Sequence, residues 1–262
     1  MKESTMKVIY RPTGRALEYS FLALNPFGKS SCSHRCSYCY CPDALHMTRQ
    51  QWEASPFRVR RNLIRDLRND AEQLRGTNER VLLCFFGDLY SPEAVKTGIS
   101  RQILEVLREF DIPWQVLTKG GMRAVPDFDL YGPNDAFATT LTFTRNQDSV
   151  NLEPGAALPS DRCRAIQEAY DRGIKTWVSL EPVLNPEDAL YWIDNSFPVV
   201  SLFKVGKLNH DAAREKEIDW RRFGMEVIAR LESRGLRYYI KHDLAKHLAG
   251  VPYTNTDTRK VR

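Results

Sequence analysis

The chain of 262 residues is 42% hydrophobic and carries a formal net charge of +5, from 38 basic and 33 acidic side chains. That length supports a full core, and α/β barrels of this size commonly form one domain, so residues 1–250 are read as a single domain with an extension over 1–17 and a solvated tail over 251–262. No apolar run is long enough to cross a bilayer, and the amino-terminal MKESTMKVIYRPTGR lacks the apolar centre of a signal peptide, so a cytoplasmic location is expected.

Residues 1–16 form an extended basic lead-in that turns at Arg11, Pro12, Thr13 and Gly14. Residues 18–24 (EYSFLAL) are a short run of strand type. They feed into residues 25–42, NPFGKSSCSHRCSYCYCP, where Cys32, Cys36 and Cys39 form a C-x3-C-x2-C pattern with Tyr38 before the third thiol. Four of the six cysteines crowd into this stretch, which is not the spread of a disulfide-stapled domain. Thiolates are the preferred ligands of iron–sulfur clusters and of zinc. A cubane cluster takes four ligands, so three cysteines leave one iron open for chemistry. Zinc would close its set with Cys41 or His34, but no second C-x2-C or H-x3-5-H pair accompanies the loop.

Next, residues 56–74 place Leu63, Leu67, Ala71 and Leu74 at helical spacing. The opposite face carries Arg58, Arg61, Arg65 and Arg68, either as a solvated surface laced with Asp66 and Asp70 or as a phosphate-binding flank. The run at 80–86 (RVLLCFF) is apolar on both faces, the mark of a strand in a parallel sheet covered by helices. GDLYSP follows as its C-terminal loop. The alternation continues with a helix at 97–110, a strand at 113–118 ending in Lys119, Gly120 and Gly121, and a strand at 135–143. A helix at 160–172, capped by Ser160 and stopped by Gly173, precedes a strand at 175–183. Asn185 and Pro186 open a helix at 187–195, followed by a strand at 199–205, a helix at 219–233 and a further short strand at 237–241. Strand and helix repeated about six times, with right-handed crossovers, predict a partial (β/α)6 parallel barrel in the α/β class. The loops after its strands then build the site.

Strand parity sorts the polar residues. Trp177, Ser179 and Glu181 share a face, and a glutamate in so apolar a stretch is costly to bury alone, so Glu181 is either a ligand-binding group or half of an ion pair. Thr140, Thr142 and Thr144 share another face. Lys119, Lys204, Lys207 and Lys241 fall at strand C-termini and are expected to converge as a cationic mouth, although Lys204 and Lys207 differ in parity. Cys84 shares a face with Asp88, and Cys84 and Cys163 read as buried apolar thiols. The five histidines show no metal-site pattern and read as surface or substrate-proximal groups.

The cysteine loop resembles that of the radical S-adenosylmethionine (radical SAM) superfamily, whose signature is C-x3-C-x-aromatic-C after the first strand of a parallel barrel. NPF before the loop, CSYCY within it, and GDLYSP, TKGG, SLEPV and FKVGKLN further on are similar to the spore photoproduct lyase branch, over roughly residues 18–245. The resemblance implies a [4Fe-4S] cluster on Cys32, Cys36 and Cys39, with SAM chelated to the open iron and cleaved reductively to methionine and a 5'-deoxyadenosyl radical that abstracts hydrogen. It places Tyr38 beside the adenine and gives Gly87, Asp88, Thr142, Ser179 and Glu181 to SAM; a single glycine stands where the family has a glycine-rich motif. Tyr90, Lys119, Lys204, Lys207 and Lys241 are left to the substrate. An external electron donor of flavodoxin or ferredoxin type is implied. Nucleic acid is one substrate class, favoured by the arginine face. A protein or peptide partner and a non-catalytic zinc or iron–sulfur protein are the other readings.

Overall fold

Short stretches of buried aliphatic and small side chains pair edge to edge in chain order to make one sheet. In the computed structural model, which describes residues 6–29, 32–195, 198–257 and 259, the strands are β1 Ile9–Tyr10, β2 Leu22–Leu24, β3 Val81–Leu83, β4 Trp114–Thr118, β5 Ala136–Thr140, β6 Lys175–Leu180, β7 Phe203–Val205 and β8 Tyr238–Ile240. Their order in the sheet is β1 to β8 without permutation. β2 through β8 run parallel, and β1 adds antiparallel to β2, so the sheet stays open between β8 and β1.

The helices are α1 Cys41–Ala44, α2 Arg49–Ala54, α3 Leu63–Leu74, α4 Pro92–Thr97, α5 Ile99–Glu109, α6 Asn146–Leu152, α7 Pro159–Asp171, α8 Pro186–Asn195, α9 Ala212–Glu215, α10 Trp220–Ser233 and α11 His242–Ala245. A 3-10 segment, Gly121–Leu130, follows β4. Each long crossover helix buries one stripe: Leu63, Leu67 and Ala71 in α3, Ile99, Ile103, Leu104 and Leu107 in α5, and Phe223, Val227 and Leu231 in α10. Among the described residues no helix is long and apolar enough to cross a membrane.

The structure differs from the expected barrel in instructive places. Seven parallel strands stand where six were predicted, because YYI at 238–240 does pair with β7. β3, β5 and β6 stop earlier than their apolar runs, past Leu83, Thr140 and Leu180, whereas β4 and β7 end at Thr118 and Val205 as expected. α3 begins only at Leu63, because Val59 bridges back to Phe27 and Asn62 adopts a left-handed φ of 57°. Asp70 is buried, not part of a solvated face; its carboxylate accepts from the backbone N–H groups of Lys7 (2.9 Å), Val8 (2.7 Å) and Ile9 (2.9 Å) and so seats β1. Ser160 does not cap α7, which starts one residue earlier with Pro159 in its first turn. The segment after Gly250, expected to be solvated, is largely exposed and also runs along the β8 edge: Asn255 exchanges side-chain hydrogen bonds with Ile240 N (2.6 Å) and O (3.0 Å), and Thr256 N donates to Tyr238 O at 2.8 Å.

The open side of the sheet is straddled by the 3-10 segment Gly14–Glu18 and Tyr19. Arg15 pairs with Asp243 at 2.7 Å, His242 N donates to Glu18 Oε1 at 2.5 Å, and Arg259 donates to Leu17 O at 3.2 Å. Contacts from the β8 end thus hold a segment that precedes β2.

Candidate active site

Beyond the C-terminal ends of the parallel strands lies a cavity of about 480 Å³. Cys32, Cys36, Cys39 and Cys41 line it from the loop after β2, and Cys84 lines it just past β3; all are free thiols. Short turns shape the loop, with Arg35 N donating to Cys32 O and Cys39 N to Cys36 O, each at 3.1 Å. The segment joining β5 to α7 supports it from below: Ser37 N donates to Leu152 O at 2.8 Å and Gly155 N to His34 O at 3.1 Å. A Cβ at residue 155 would lie 1.8 Å from Ser33 O, so only glycine allows this approach.

Asp88 ties three loops together. Its carboxylate accepts from Tyr90 N (2.8 Å), Thr118 Oγ1 (2.5 Å) and Lys119 N (2.8 Å), and His34 Nδ1 stands 3.4 Å away. Arg123 reaches the other ring nitrogen of His34 at 3.2 Å. His34 lines the cavity but is not a surface group: it is 2% exposed, and burial above all pushes its pKa down to about 4. With both ring nitrogens engaged, it is not free to serve as a fourth zinc ligand.

Beneath the loop, Arg162 and Glu153 form an ion pair with both side chains fully buried. Arg162 also donates to Ala157 O (2.8 Å) and Thr140 O (3.0 Å), and Ser149 donates to Glu153 at 3.0 Å, so neither charge is left unsatisfied. Tyr38 donates its hydroxyl to Glu153 and lies 3.4 Å from Thr142 Oγ1, which leaves its ring along the cavity with Lys119 Nζ 5.5 Å from the ring centre. Burial opposes the Lys119 charge, but Cys36 and Glu153 outweigh it and hold its pKa above the ordinary lysine value.

On the far wall, Tyr19 donates to Glu181 at 2.9 Å, and Lys241 Nζ contacts both Tyr19 Oη (3.1 Å) and the Glu181 carboxylate. Burial first, then Glu181, pushes the Tyr19 pKa up to about 12. Ser179 lines the same wall. Three of the four lysines expected at a cationic mouth, Lys119, Lys207 and Lys241, line the cavity, but two of them are neutralised by carboxylates. Lys241 is spent on Glu181, and Lys207 pairs with Glu215 at 2.5 Å. Lys204 is 1% exposed and sits outside the cavity lining, with its Nζ 4.7 Å from the Trp177 ring and 5.1 Å from the Tyr19 ring. Lys119 alone of the four keeps its ammonium on the cysteine side.

Gly87, Asp88 and Thr140 line the cavity, whereas Thr142 and Tyr90 do not. Tyr90 is a core side chain, 1% exposed, that donates to Asp127 at 3.1 Å, and Thr144 turns away to Asp188. Residues missed in the sequence include Tyr19, Glu153, Arg162 and Asn25, whose Oδ1 accepts from Phe85 N and Phe86 N at 2.8 and 3.1 Å. The one usable signal was Asn25, an amide immediately before a proline at a strand end.

No protein-family model matches the chain. Among curated proteins, an uncharacterised protein of Methanocaldococcus jannaschii, MJ0683, is 23% identical over 188 residues, covering 70% of each chain. Among solved structures, spore photoproduct lyase complexed with dinucleoside spore photoproduct superposes with a TM-score of 0.66 at 13% identity, over 92% of this chain and 80% of that one. SuiB of Streptococcus suis bound to S-adenosylmethionine gives 0.63 at 12% identity, over 88% of this chain. The fold is that of spore photoproduct lyase and SuiB. The chain spans about half of SuiB, 53% of its length.

Within this spore photoproduct lyase fold the donor set can be weighed against the metals it suits. Among the described residues no three His, Cys, Asp or Glu side chains are gathered closely enough to hold a metal ion between them. Three soft thiols on one loop around a shared cavity suit a larger, multi-iron group. A hydrogen bond from Cys41 is the main cause that brings the Cys39 pKa down to about 6, so Cys41 supports a ligand thiolate. Burial pushes Cys36 up to about 11 and raises Cys32 well above the ordinary thiol value. Bound cationic iron would offset that cost.

Proposed function

We propose that the chain is a radical SAM enzyme in which Cys32, Cys36 and Cys39 hold a [4Fe-4S] cluster and SAM occupies the adjoining cavity. One observation carries this reading: the three motif thiols line the same cavity as Lys119, Ser179 and Glu181. When bound, the cluster supplies the electron that splits SAM into methionine and a 5'-deoxyadenosyl radical. Lys119 faces the SAM carboxylate with a charge that nearby anionic groups favour. The Gly87–Asp88 turn offers backbone to the amino group, held in place by the Asp88 network. The Tyr38 ring flanks the adenine with its hydroxyl anchored on Glu153. Ser179 meets the ribose; Glu181, already neutralised by Lys241 and Tyr19, acts mainly to orient that wall. Enclosure on these sides keeps water from a reactive intermediate.

Nucleic acid is the substrate class that the surface favours. Val59 bridges to Phe27, Gly28 N donates to Arg58 O (3.3 Å) and Arg60 N to Pro26 O (2.9 Å), so exposed Lys7, Lys29, Arg58, Arg60 and Arg61 flank the approach to the cysteine loop. Such clustering is the electrostatic footprint of a phosphate backbone. The cleavage would draw on a cytoplasmic flavodoxin- or ferredoxin-type donor.

Reconstitution with iron and sulfide under anaerobic conditions, then reduction with SAM present, tests the proposal. The expected result is a brown protein that releases 5'-deoxyadenosine and methionine, with both lost in Cys36→Ala. A colourless protein with one zinc per chain and no 5'-deoxyadenosine would end the enzymatic reading.

A further inference from the structure

Arg49 opens α2, where a cation is electrostatically misplaced: the N-terminal turn of a helix favours negative charge. The helix does not need it there, because Thr48 and Gln51 already complete a reciprocal cap, with Gln51 N donating to Thr48 Oγ1 at 3.1 Å and Thr48 N to Gln51 Oε1 at 2.9 Å. The guanidinium instead turns onto the cysteine loop. Nη1 donates to Cys36 O at 3.1 Å, and Nη2 donates to Ser37 O at 2.8 Å and Cys39 O at 3.1 Å. Three carbonyls, two of them belonging to motif cysteines, are gathered on one planar fork.

We infer that Arg49 is a positioning residue for the cluster loop: it fixes the backbone that aims the Cys36 and Cys39 thiols and supplies a fixed positive charge beside the iron. The inference rests on the iron–sulfur reading proposed above for the electronic part and on the hydrogen bonds alone for the loop. A guanidinium suits the task because its donors lie in a rigid plane, whereas an ammonium is a point charge that cannot hold three divergent carbonyls. Groups that orient metal ligands from behind typically alter metal affinity about 10- to 100-fold when removed. A nearby cation also favours the more negative, reduced form of a cluster, so its loss drives the midpoint potential lower.

The test compares the full chain with Arg49→Gln, Arg49→Lys and Thr48→Ala, the last loosening α2 while leaving the guanidinium in place. After anaerobic reconstitution, Arg49→Gln should hold iron at least about tenfold less tightly against a chelator, with a reduced-state midpoint, followed by electron paramagnetic resonance, shifted to a more negative potential. Arg49→Lys should keep the midpoint near that of the parent but still lose iron faster. Thr48→Ala should match the parent in both. Unchanged iron retention and midpoint in Arg49→Gln overturn the inference, as does Thr48→Ala reproducing the Arg49→Gln losses. In metal-free protein, iodoacetamide should label Cys36 and Cys39 severalfold faster in Arg49→Gln than in the parent, and equal labelling rates overturn the loop clamp. A parent that takes up no iron but shows this labelling difference sinks the cluster and keeps the clamp, so the two failures are told apart.

Discussion

Lys204 and Lys241 lie on neighbouring strands near the same Tyr19 ring, yet their charges are treated in opposite ways. Lys241 has the Glu181 carboxylate, which outweighs its burial and holds its pKa above the ordinary lysine value. Lys204 has aromatic faces and the carbonyls of Glu18 and Tyr19 at 3.4 and 3.5 Å, and burial pulls its pKa down to about 7. Because that folded value lies below the unfolded one, the unfolded chain binds more protons between pH 7 and the ordinary lysine pKa. Stability from this group therefore rises with pH across that window, and below about 7 the full penalty of a buried ammonium applies. Lys204→Met should remove the dependence: urea midpoints at about pH 7 and pH 9.5 should converge in the variant relative to the parent, with the larger gain at pH 7. An unchanged pH slope would show that Lys204 titrates normally. The sequence made Glu181 conspicuous through parity, since period-two alternation is a local property. Its partner was not legible, because Lys241 stands 60 residues further along and only the pairing of β6 with β7 and of β7 with β8 brings the two together.

At the scale of elements, the site depends on a segment without regular structure. The stretch between α6 and α7 carries Glu153 and Gly155 under the cysteine loop, and the fully buried Arg162 anchors it from α7. Gly155→Ala should force its new methyl group against the Ser33 carbonyl and destabilise the fold by about 1–3 kcal/mol, the usual cost of overpacking. Thermal unfolding should show a lowered midpoint, together with weaker iron uptake; an unchanged midpoint would mean that the loop yields freely. The alternation of strands and helices was legible because apolar runs and amphipathic stripes are written locally. Strand ends were not, because the runs at 80–86 and 135–143 stay apolar after the chain has left the ladder, where Phe85 and Phe86 wall the cavity. Ser160 misled for a similar reason: a capping residue type beside a proline says nothing of which one enters the helix first.

For the whole molecule, the basic group of Lys7, Lys29, Arg58, Arg60 and Arg61 makes the nucleic-acid proposal measurable without knowing the reaction. Binding of a fluorescent oligonucleotide, read by anisotropy, should weaken steeply with salt, losing roughly one power of salt concentration per phosphate neutralised. Arg58→Glu with Arg61→Glu should weaken binding and flatten the slope while leaving SAM cleavage intact. No binding at low salt would remove nucleic acid and leave a protein or peptide partner. The partial barrel itself could be read from the chain, since each βα step is local and its handedness is fixed. The antiparallel β1 could not, because its two residues owe their place to the Asp70 carboxylate far along the chain.

The segment Gly14–Glu18, pinned by Arg15 to Asp243 and by Leu17 to Arg259, shuts the side door of an otherwise open half-barrel. A bulky polymer therefore cannot slip in edgewise between the first and last strands. On the proposed nucleic-acid reading, its reactive moiety would be lowered end-on from the rim, like a key dropped from above, with the flanking chain outside on the cysteine-side collar.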